Sequence, residues 1–462
     1  MYSNFIFSTP LSSSNIEKTP SKMKALQPLV IDNGSYEIKF GLANQGQKPY
    51  HCYNCVAKNT NLGTESFYIG NQLDSKLQNS TSGVYIKRPI ERGQLTSWEI
   101  ENEVWNYCFY NPEEFGGFEL SNNTNERQDL ILSETIFTLP ELSRNTDQIV
   151  FEEYAFDSLY KAPSASFVPF NKESILRNML LNSKSQEIPD SNVKVDQSTT
   201  TQSSAMTSYN DFQLVIDSGF NCTWIIPIIK GTVHYKAVKK CDIGGRFFTG
   251  LLKEMLSFRH YDVSEETILV NRIKEQCCYM SPQSYTESFR NKNDSVVEYV
   301  LPDFHSDNRG YRFDPATSLP LPQTAQTLVL TDELFAVPET IFHPEIAQLV
   351  NKPGIIETIL ECLSMVPEIV RPLLVGNIVL IGGNFNIVNF KERLSKELQV
   401  QCPIDWEVRV SCSAQPSTFT FESMCKFSET DEYIHARVTR EEYYEKGADW
   451  LSKNRFTYQQ SL

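Results

Sequence analysis

LVIDNG at residues 29–34 returns almost unchanged as LVIDSG at residues 214–219. Each copy is a short apolar run that ends in an aspartate, a small polar residue and a glycine. A second strand-like run follows each copy, at residues 36–42 and at residues 222–229, which is typical of a β-hairpin with a polar tip. Two unrelated strand–turn units are the alternative, but a matched pair favours an internal repeat and therefore a duplicated fold.

The two hairpin tips have the composition of a phosphate-binding cleft. Gly34 and Gly219 let the backbone turn tightly and approach a ligand, and exposed turn amides favour an anion. Asp32 and Asp217 would then face each other across the cleft. Hydrated Mg²⁺ keeps most of its waters and takes few direct protein ligands. We therefore predict Asp32 and Asp217 as water-mediated ligands of Mg²⁺ beside a polyphosphate.

A third glycine site follows a buried-strand pattern nearer the C-terminus. Residues 377–383 read NIVLIGG, and Phe390, Leu394 and Leu398 then recur at the spacing of an amphipathic helix. A strand, a glycine pair and a helix are typical of a nucleotide contact, although a glycine pair is also common in a simple tight turn. The order of two hairpins and then a glycine pair is the more specific signal.

A further helix is predicted close to residue 96. Thr96 and Glu99 have the spacing of a capping box, in which the first side chain accepts a hydrogen bond from a helical amide. Trp98, Trp105 and Cys108 mark the apolar side of this helix. We therefore expect the helix to open at the capping box.

The order of the three glycine sites resembles that of the actin, sugar kinase and heat-shock ATPase superfamily. The chain is similar to actin in RPIERG at residues 88–93, DIGGR at residues 242–246 and KE at residues 274–275. DNGSYEIKFG at residues 32–41 and FQLVIDSGFNCTWIIP at residues 212–227 resemble a fungal branch of the actin-related proteins. The resemblance runs from about residue 28 to the C-terminus. It implies an α/β fold in which actin-like duplicated ribonuclease-H-like domains form two lobes around a nucleotide cleft.

The same resemblance sets the expected domain boundaries. We expect a small lobe over residues 28–170, completed by a C-terminal return over residues 405–462, and a large lobe over residues 212–404. Residues 1–27 and 171–211 are mostly polar. We expect both segments to be disordered, because they cannot bury enough apolar surface to offset the entropy of ordering.

The resemblance also implies which residues would contact a nucleotide. These are, at the first hairpin, Asp32, Asn33, Gly34, Ser35 and Lys39; at the second, Asp217, Ser218 and Gly219; for the base and ribose, Lys274 and Glu275; and at the adenosine turn, Gly382 and Gly383. ATP with Mg²⁺ would be a structural ligand between the lobes. Such a ligand stabilises the folded form that binds it by mass action.

Groups needed for ATP hydrolysis are replaced at the matching positions. Where actin has a water-positioning glutamine and a histidine, this chain has Ser164 and Trp224. Phe220 and Asn221 replace an acidic residue and a glycine, and Tyr36 replaces a phosphate-facing glycine. Loss of one group that handles a proton or positions water costs roughly a hundredfold to ten-thousandfold in rate. We therefore expect no enzyme, or at most residual ATPase activity.

Composition and charge disfavour several functions. A net charge of −15 over 462 residues disfavours a stand-alone DNA-binding protein, which needs a basic face to release phosphate counterions. No apolar run approaches the roughly 18 residues that span a bilayer, so we expect no membrane contact. The 11 cysteines, with no secretory signal, indicate a reducing compartment. Cys52 and Cys55 form a CxxC pair beside His51, but no second pair lies at zinc-ligand spacing.

The function implied by the resemblance is that of a scaffold. The matching branch implies a nuclear subunit, present also in the cytoplasm, of an SWR-type chromatin remodelling complex that exchanges ordinary histone dimers for the Z-variant. Its expected partners are the Snf-two-type motor subunit, a small zinc-finger HIT-type subunit and, through the complex, histones and the nucleosome. The alternatives are an active ATPase or sugar kinase of the same superfamily, and a cytoskeletal actin-like protein that polymerises.

Overall fold

The structure is a computed structural model that describes residues 27–43, 48–59, 66–76, 84–118, 120, 128–171, 211–290, 296–303, 309–314 and 325–455. The two segments predicted to be disordered, residues 1–27 and 171–211, lie almost wholly outside these ranges. Within the described ranges, two large mixed β-sheets form the centres of two lobes. The α/β prediction with two actin-like lobes is confirmed.

The first large sheet contains the first copy of the repeat. Its order is β20 (Val438–Thr439), β10 (Ser158–Pro163), β9 (Asp129–Glu134), β1 (Leu29–Asn33), β2 (Glu37–Leu42) and β3 (Tyr50–Tyr53). β1 pairs antiparallel with β2 and parallel with β9. The predicted first hairpin is therefore present, and the C-terminal strand β20 returns to the edge of the same sheet.

The second large sheet repeats this plan with the second copy. Its order is β13 (Thr232–Val233), β12 (Thr223–Ile229), β11 (Phe212–Ser218), β18 (Ile378–Ile381) and β19 (Val410–Cys412), and β14 (Lys239–Cys241) also pairs with β12. β11 pairs antiparallel with β12 and parallel with β18. Because both hairpins have a parallel third strand on the same side, their tips extend from equivalent edges of the two sheets.

Three small sheets extend from these lobes. They contain β5 (Ser66–Ile69), β4 (Val56–Asn59) and β6 (Val84–Lys87); β16 (Tyr311–Arg312), β15 (Val297–Val300) and β17 (Thr327–Leu330); and the pair β7 (Ile90–Glu91) and β8 (Gln94–Leu95). All pairings in them are antiparallel. The first two of these sheets follow the hairpin of their own lobe in the chain.

Helices connect the strands in both halves of the described chain. Those that precede β11 are α1 (Gln72–Lys76), α2 (Trp98–Phe109), α3 (Pro140–Gln148) and α4 (Ser164–Phe167). Those that follow it are α5 (Gly245–Arg259), α6 (Thr267–Cys277), α7 (Tyr285–Arg290), α8 (Glu333–Glu339), α9 (Ile355–Ser364), α10 (Arg371–Val375), α11 (Phe390–Gln401), α12 (Phe419–Ser428), α13 (Asp431–Ala436), α14 (Arg440–Lys446) and α15 (Ala448–Asn454). Helix α11 confirms the predicted helix after the glycine pair. No helix in the described ranges has the length and apolar character needed to cross a membrane.

Helix α2 does not open at the predicted capping box. The helix begins at Trp98, and its N-cap is Ser97, whose side chain makes no capping hydrogen bond. The Thr96 hydroxyl instead donates to the Pro89 carbonyl oxygen at 3.2 Å. The capping-box prediction is therefore wrong, because a backbone acceptor outside the helix takes the threonine side chain.

The two lobes have separate cores that are joined by a third apolar cluster. One core surrounds the first sheet and includes Phe40 and Trp105, and a larger one surrounds the second sheet. The joining cluster brings Ile136 and Ala165 of the first lobe against Val215 and other residues of the second. Apolar burial of this kind stabilises by roughly 25 cal/mol per Å², so this cluster holds the lobes together at the base of the cleft.

Candidate functional site

A cavity of about 540 Å³ lies between the two lobes. Its volume is within the usual range of about 300–1,000 Å³ for small-molecule sites. The predicted contact residues that line it are Asp32, Asn33, Gly34, Ser35, Lys39, Asp217, Gly219, Lys274, Glu275, Gly382 and Gly383. The structure therefore brings these residues into one cleft. Their role in binding a nucleotide stays a prediction.

Ser218 is the predicted contact residue that does not line the cavity. Its side chain is fully buried, and its hydroxyl oxygen lies 2.7 Å from the Thr223 hydroxyl and accepts from the Asn384 amide at 3.0 Å. Asn384 also donates to the Gly219 carbonyl oxygen at 2.8 Å. Ser218 thus fixes the second hairpin to the turn after the glycine pair and does not face a ligand.

Asp32 is held by two partners from its own lobe. The Ser133 hydroxyl donates to Asp32 Oδ1 at 2.8 Å, and Lys39 Nζ lies 3.5 Å from Asp32 Oδ2. Antiparallel pairing places Lys39 directly opposite Asp32, which explains this ion pair from the hairpin register alone. Both carboxylate oxygens of Asp32 are therefore engaged by the protein.

Asp217 is a buried carboxyl group with a raised pKa. Burial raises the pKa of Asp217 to about 7, the neighbouring Asp32 carboxylate adds to the rise, and Lys39 opposes it. Near neutral pH the Asp217 carboxyl group is thus protonated in a large fraction of molecules. Among the described residues, no group of three or more His, Cys, Asp or Glu side chains is placed to hold a metal ion.

Lys274 uses all of its hydrogen-bond donors within the protein. Its ammonium group donates to the Asn271 side chain at 2.7 Å, to the Thr249 hydroxyl at 3.0 Å and to the Gly245 carbonyl oxygen at 3.3 Å. An ammonium group has three donors. Burial also lowers the pKa of Lys274. The side chain is therefore a buried structural cation with no free N–H for a ligand.

The cleft lining contains more carboxyl groups than cationic side chains. The lining contains five carboxyl groups, from Asp32, Glu37, Glu134, Asp217 and Glu275, and two lysines, Lys39 and Lys274. Both lysines already contact protein acceptors, as described above. Phosphate oxygens need charge-assisted donors to replace their hydration. A triphosphate here would therefore depend on the turn amides and on a Mg²⁺ ion held through water by Asp32 and Asp217.

The two hairpin tips also touch each other directly. The Asn221 side-chain amide of the second lobe donates to the Ser35 hydroxyl of the first at 2.7 Å. The rings of Tyr36 and Phe220 have centroids 5.3 Å apart. Two donors that share one phosphate oxygen lie roughly 4–5 Å apart, since each hydrogen bond spans about 2.7–3.2 Å. There is no such gap between Ser35 and Asn221.

The comparisons with known proteins agree with this architecture. The sequence profile of the actin family matches residues 23–456. The chain belongs to the actin family. It is 53% identical to "Actin-like protein ARP6" of Saccharomyces cerevisiae over 440 residues, which cover 94% of this chain and 98% of the relative. The proteins of the same name from Kluyveromyces lactis and Debaryomyces hansenii are 53% and 36% identical, over 94% and 92% of this chain and 99% and 98% of the relatives. The predicted resemblance to a fungal branch of the actin-related proteins is confirmed.

The positions expected to lack hydrolytic groups lie in the cleft of this actin-family chain. Ser164 and Trp224 both line the cavity. The Trp224 ring packs against the ring of Phe137 at 5.8 Å, and Lys240 Nζ lies 5.7 Å from its centroid. Trp224 is therefore a packing residue. Its indole nitrogen can only donate a hydrogen bond, so it cannot accept a proton from an attacking water.

Several residues that shape the site were not identified from the sequence. Asn271 bridges Lys274, Glu275 and Tyr36, and Ser133 supports Asp32. Asn271 lies three residues before Lys274 on one helix, so the spacing of helical neighbours could have indicated it. Ser133 belongs to a different strand, and only the pairing of β1 with β9 places it there.

The two glycines of the turn after β18 differ in the space available for a Cβ atom, and this difference predicts different effects of alanine on stability. Gly382 has a φ of +103°, and a Cβ atom there would lie 2.3 Å from the Ser218 carbonyl oxygen, whereas a Cβ at Gly383 would meet nothing within 4 Å. Gly382→Ala should lower the free energy of unfolding by roughly 3 kcal/mol or more, and the matched control Gly383→Ala by less than about 0.5 kcal/mol. Urea denaturation of both variants tests this, and equal losses would contradict it.

A buried acid behind the first hairpin gives a second prediction. Glu101 is fully buried and accepts hydrogen bonds from Trp105 Nε1 at 2.9 Å and from the Asn54 amide at 3.3 Å. Burial raises the pKa of Glu101 from 4.5 to about 7, although hydrogen bonds from Asn33, Asn54 and Trp105 oppose the rise. Between these two pKa values the folded state binds the proton and the unfolded state does not. This group's contribution to stability therefore falls as the pH rises through that window.

Glu101→Gln should remove this pH dependence. The variant should be more stable than the wild type near pH 8, by up to about 3 kcal/mol, and similar to it near pH 5. The glutamine amide can also donate to the Asn54 side-chain oxygen, which has no hydrogen-bond partner. Denaturation at both pH values measures the effect. Glu103→Gln, on the exposed side of the same helix, is the matched control, and a similar pH profile for both variants would show that Glu101 does not titrate as stated.

Proposed function

We propose that this chain is a scaffold subunit of a nuclear, SWR-type chromatin remodelling complex that exchanges ordinary histone dimers for the Z-variant, and that it hydrolyses little or no ATP. The expectation of little or no ATP hydrolysis rests on the residues of the cleft. It keeps the actin-family hairpins, but Ser164 and Trp224 occupy the hydrolytic positions and the hairpin tips contact each other. The similarity to several fungal proteins named "Actin-like protein ARP6" supports the choice of branch.

The proposed partners follow from the same branch. They are the Snf-two-type motor subunit, a small zinc-finger HIT-type subunit and, through the complex, histones and the nucleosome. The net charge of −15 supports contact with DNA through partners, because an acidic protein gains nothing from phosphate neutralisation. We place the protein in the nucleus, with a further pool in the cytoplasm.

The alternative functions receive less support from the site. ATP with Mg²⁺ as a structural ligand would have to displace the protein contacts of Lys39 and Lys274 and separate the hairpin tips. A sugar kinase needs the same triphosphate, and it needs a catalytic base for the acceptor hydroxyl as well. A polymerising cytoskeletal protein would be coupled to nucleotide turnover, which Ser164 and Trp224 do not support. The scaffold function needs no bound ATP.

The first test of the proposal is phosphate release by the purified chain. With saturating Mg-ATP, turnover should stay below about 0.01 per second, far under the roughly 1–100 per second of kinases. Ser164→Gln with Trp224→His should not restore it, because the triphosphate is not seated between the hairpin tips. Actin in the same assay is the positive control. Turnover near one per second by the wild type would contradict the non-catalytic assignment.

The second test addresses the complex. Tagged full-length chain should co-purify from nuclear extract with the motor and the small zinc-finger subunit, and complex lacking the chain should lose most of its histone exchange. Added wild-type chain should restore exchange. Normal exchange without the chain would count against the scaffold role, whatever the result of the ATPase assay.

A further inference from the structure

We infer that a set of side chains at the mouth of the cleft, here called the clamp, holds the two lobes closed and takes over the role that a bound nucleotide would have. The clamp consists of Tyr36 and Arg88 of the first lobe and Phe220, Asn221 and Asn271 of the second. This inference rests on the described contacts and on the actin fold. It does not depend on the proposed chromatin function.

The centre of the clamp is an arginine that contacts two aromatic rings from different lobes. The guanidinium carbon of Arg88 lies 4.8 Å from the ring centroid of Tyr36 and 4.8 Å from that of Phe220. Such cation–π contacts strengthen when water is excluded. Arg88 is itself held in place, because it donates to the backbone oxygens of Ser35, Tyr36 and Asn54 at 3.3, 2.9 and 3.1 Å. The arginine thus positions the first tip and covers the second.

Two hydrogen bonds cross between the lobes beside these rings. Asn221 donates to the Ser35 hydroxyl at 2.7 Å, and Asn271 donates to the Tyr36 hydroxyl at 2.8 Å. Asn271 reaches the first lobe from helix α6, which also supplies Lys274 and Glu275 to the cavity lining. The clamp therefore ties both the second hairpin and helix α6 to the first hairpin.

The same helix makes a second interlobe contact next to Asn271. Arg272 pairs with Asp74 of helix α1 at 2.5 Å, and Tyr53 donates to the other oxygen of Asp74 at 3.1 Å. Ile268 packs against an apolar cluster of the small β5–β4–β6 sheet, which includes Leu73. Ile268, Asn271 and Arg272 are one helical turn apart, so a single face of α6 lies along the first lobe.

These contacts replace the attraction that a ligand would supply. In a cleft closed by nucleotide, stability rises with ligand concentration. Here the lobes meet through aromatic rings, side-chain amides and an ion pair. The two lysines of the cavity lining, Lys39 and Lys274, already contact protein acceptors. The closed form of this chain should therefore be the same with and without Mg-ATP.

The experiment compares the wild-type full-length chain with Tyr36→Ala/Phe220→Ala. The matched control is Tyr261→Ala/Phe258→Ala, which truncates the same two residue types at positions 57% and 90% exposed on the second lobe. Each protein is stripped of nucleotide with a chelator and measured with and without Mg-ATP. The readouts are the thermal midpoint and hydrogen exchange of helix α6.

The wild type should show a shift of less than about 1 °C on addition of Mg-ATP. The clamp variant should melt lower by roughly 5 °C and exchange the amides of α6 at least about tenfold faster, whereas the control should match the wild type. A wild-type midpoint that rises by several degrees with Mg-ATP would overturn the inference, because the nucleotide would then carry closure. Equal α6 exchange in the clamp and control variants would overturn it too.

Milder variants keep the test decisive if the double substitution does not fold. Asn221→Ala removes the bond to Ser35 alone, and Arg272→Ala removes the ion pair with Asp74 alone. Each should accelerate exchange of α6 without changing the response to Mg-ATP. The wild-type response to Mg-ATP needs no variant and is sufficient by itself to reject the inference. These results are independent of the histone-exchange assay, so failure of the clamp leaves the proposed scaffold function in place.

Discussion

Direct contact between the two hairpin tips is the constraint on which the rest of the cleft depends. Each tip extends from a strand that is paired in parallel inside its own sheet, so moving a tip means moving a whole lobe. The Ser35 to Asn221 hydrogen bond closes the cleft at one end, and the apolar cluster around Ile136 and Val215 closes it at the other. The lobes are therefore joined both at the hairpin tips and through this apolar cluster, so rotation of one lobe against the other would have to disturb one of the two contacts.

The sequence predicts the parts of this arrangement that depend on the spacing of apolar residues within a short segment. Apolar spacing predicts both hairpins, the strand before the glycine pair and the helix after it. The repeated sequence then indicates that these elements belong to one duplicated fold. The strand starts agree to within a residue, since β2 begins at Glu37 and β12 at Thr223. Most of the expected contact residues line one cavity for the same reason, because they belong to these turns and to helix α6. Ser218 is the exception, and its inward direction depends on Asn384 from a distant turn.

What the sequence could not predict depends on partners far away in the chain. Glu101 has the appearance of a surface residue on an amphipathic helix, yet Asn54, from the bend between β3 and β4, hydrogen-bonds to it in the core. Thr96 has the spacing of a cap, but the Pro89 carbonyl competes for its hydroxyl. The sequence shows that Tyr36 and Phe220 depart from the actin pattern. It does not show whether each ring packs inside its own lobe or contacts the other lobe, because that depends on how the two lobes are positioned. Composition carries no information about that choice.

Phe220 departs from the actin pattern and also contacts the other lobe. Where actin has an acidic residue, this chain has an aromatic ring that lines the cavity, so the substitution removes a carboxylate from the cleft. The same ring contacts Tyr36 at 5.3 Å and Arg88 at 4.8 Å across the lobes, where a carboxylate would have drawn water and a cation between the tips. A polar cleft that must admit and release a ligand has to pay for repeated rehydration, whereas a cleft closed by rings and amides does not. Phe220 therefore both lacks the carboxylate of the actin position and supplies a contact between the lobes.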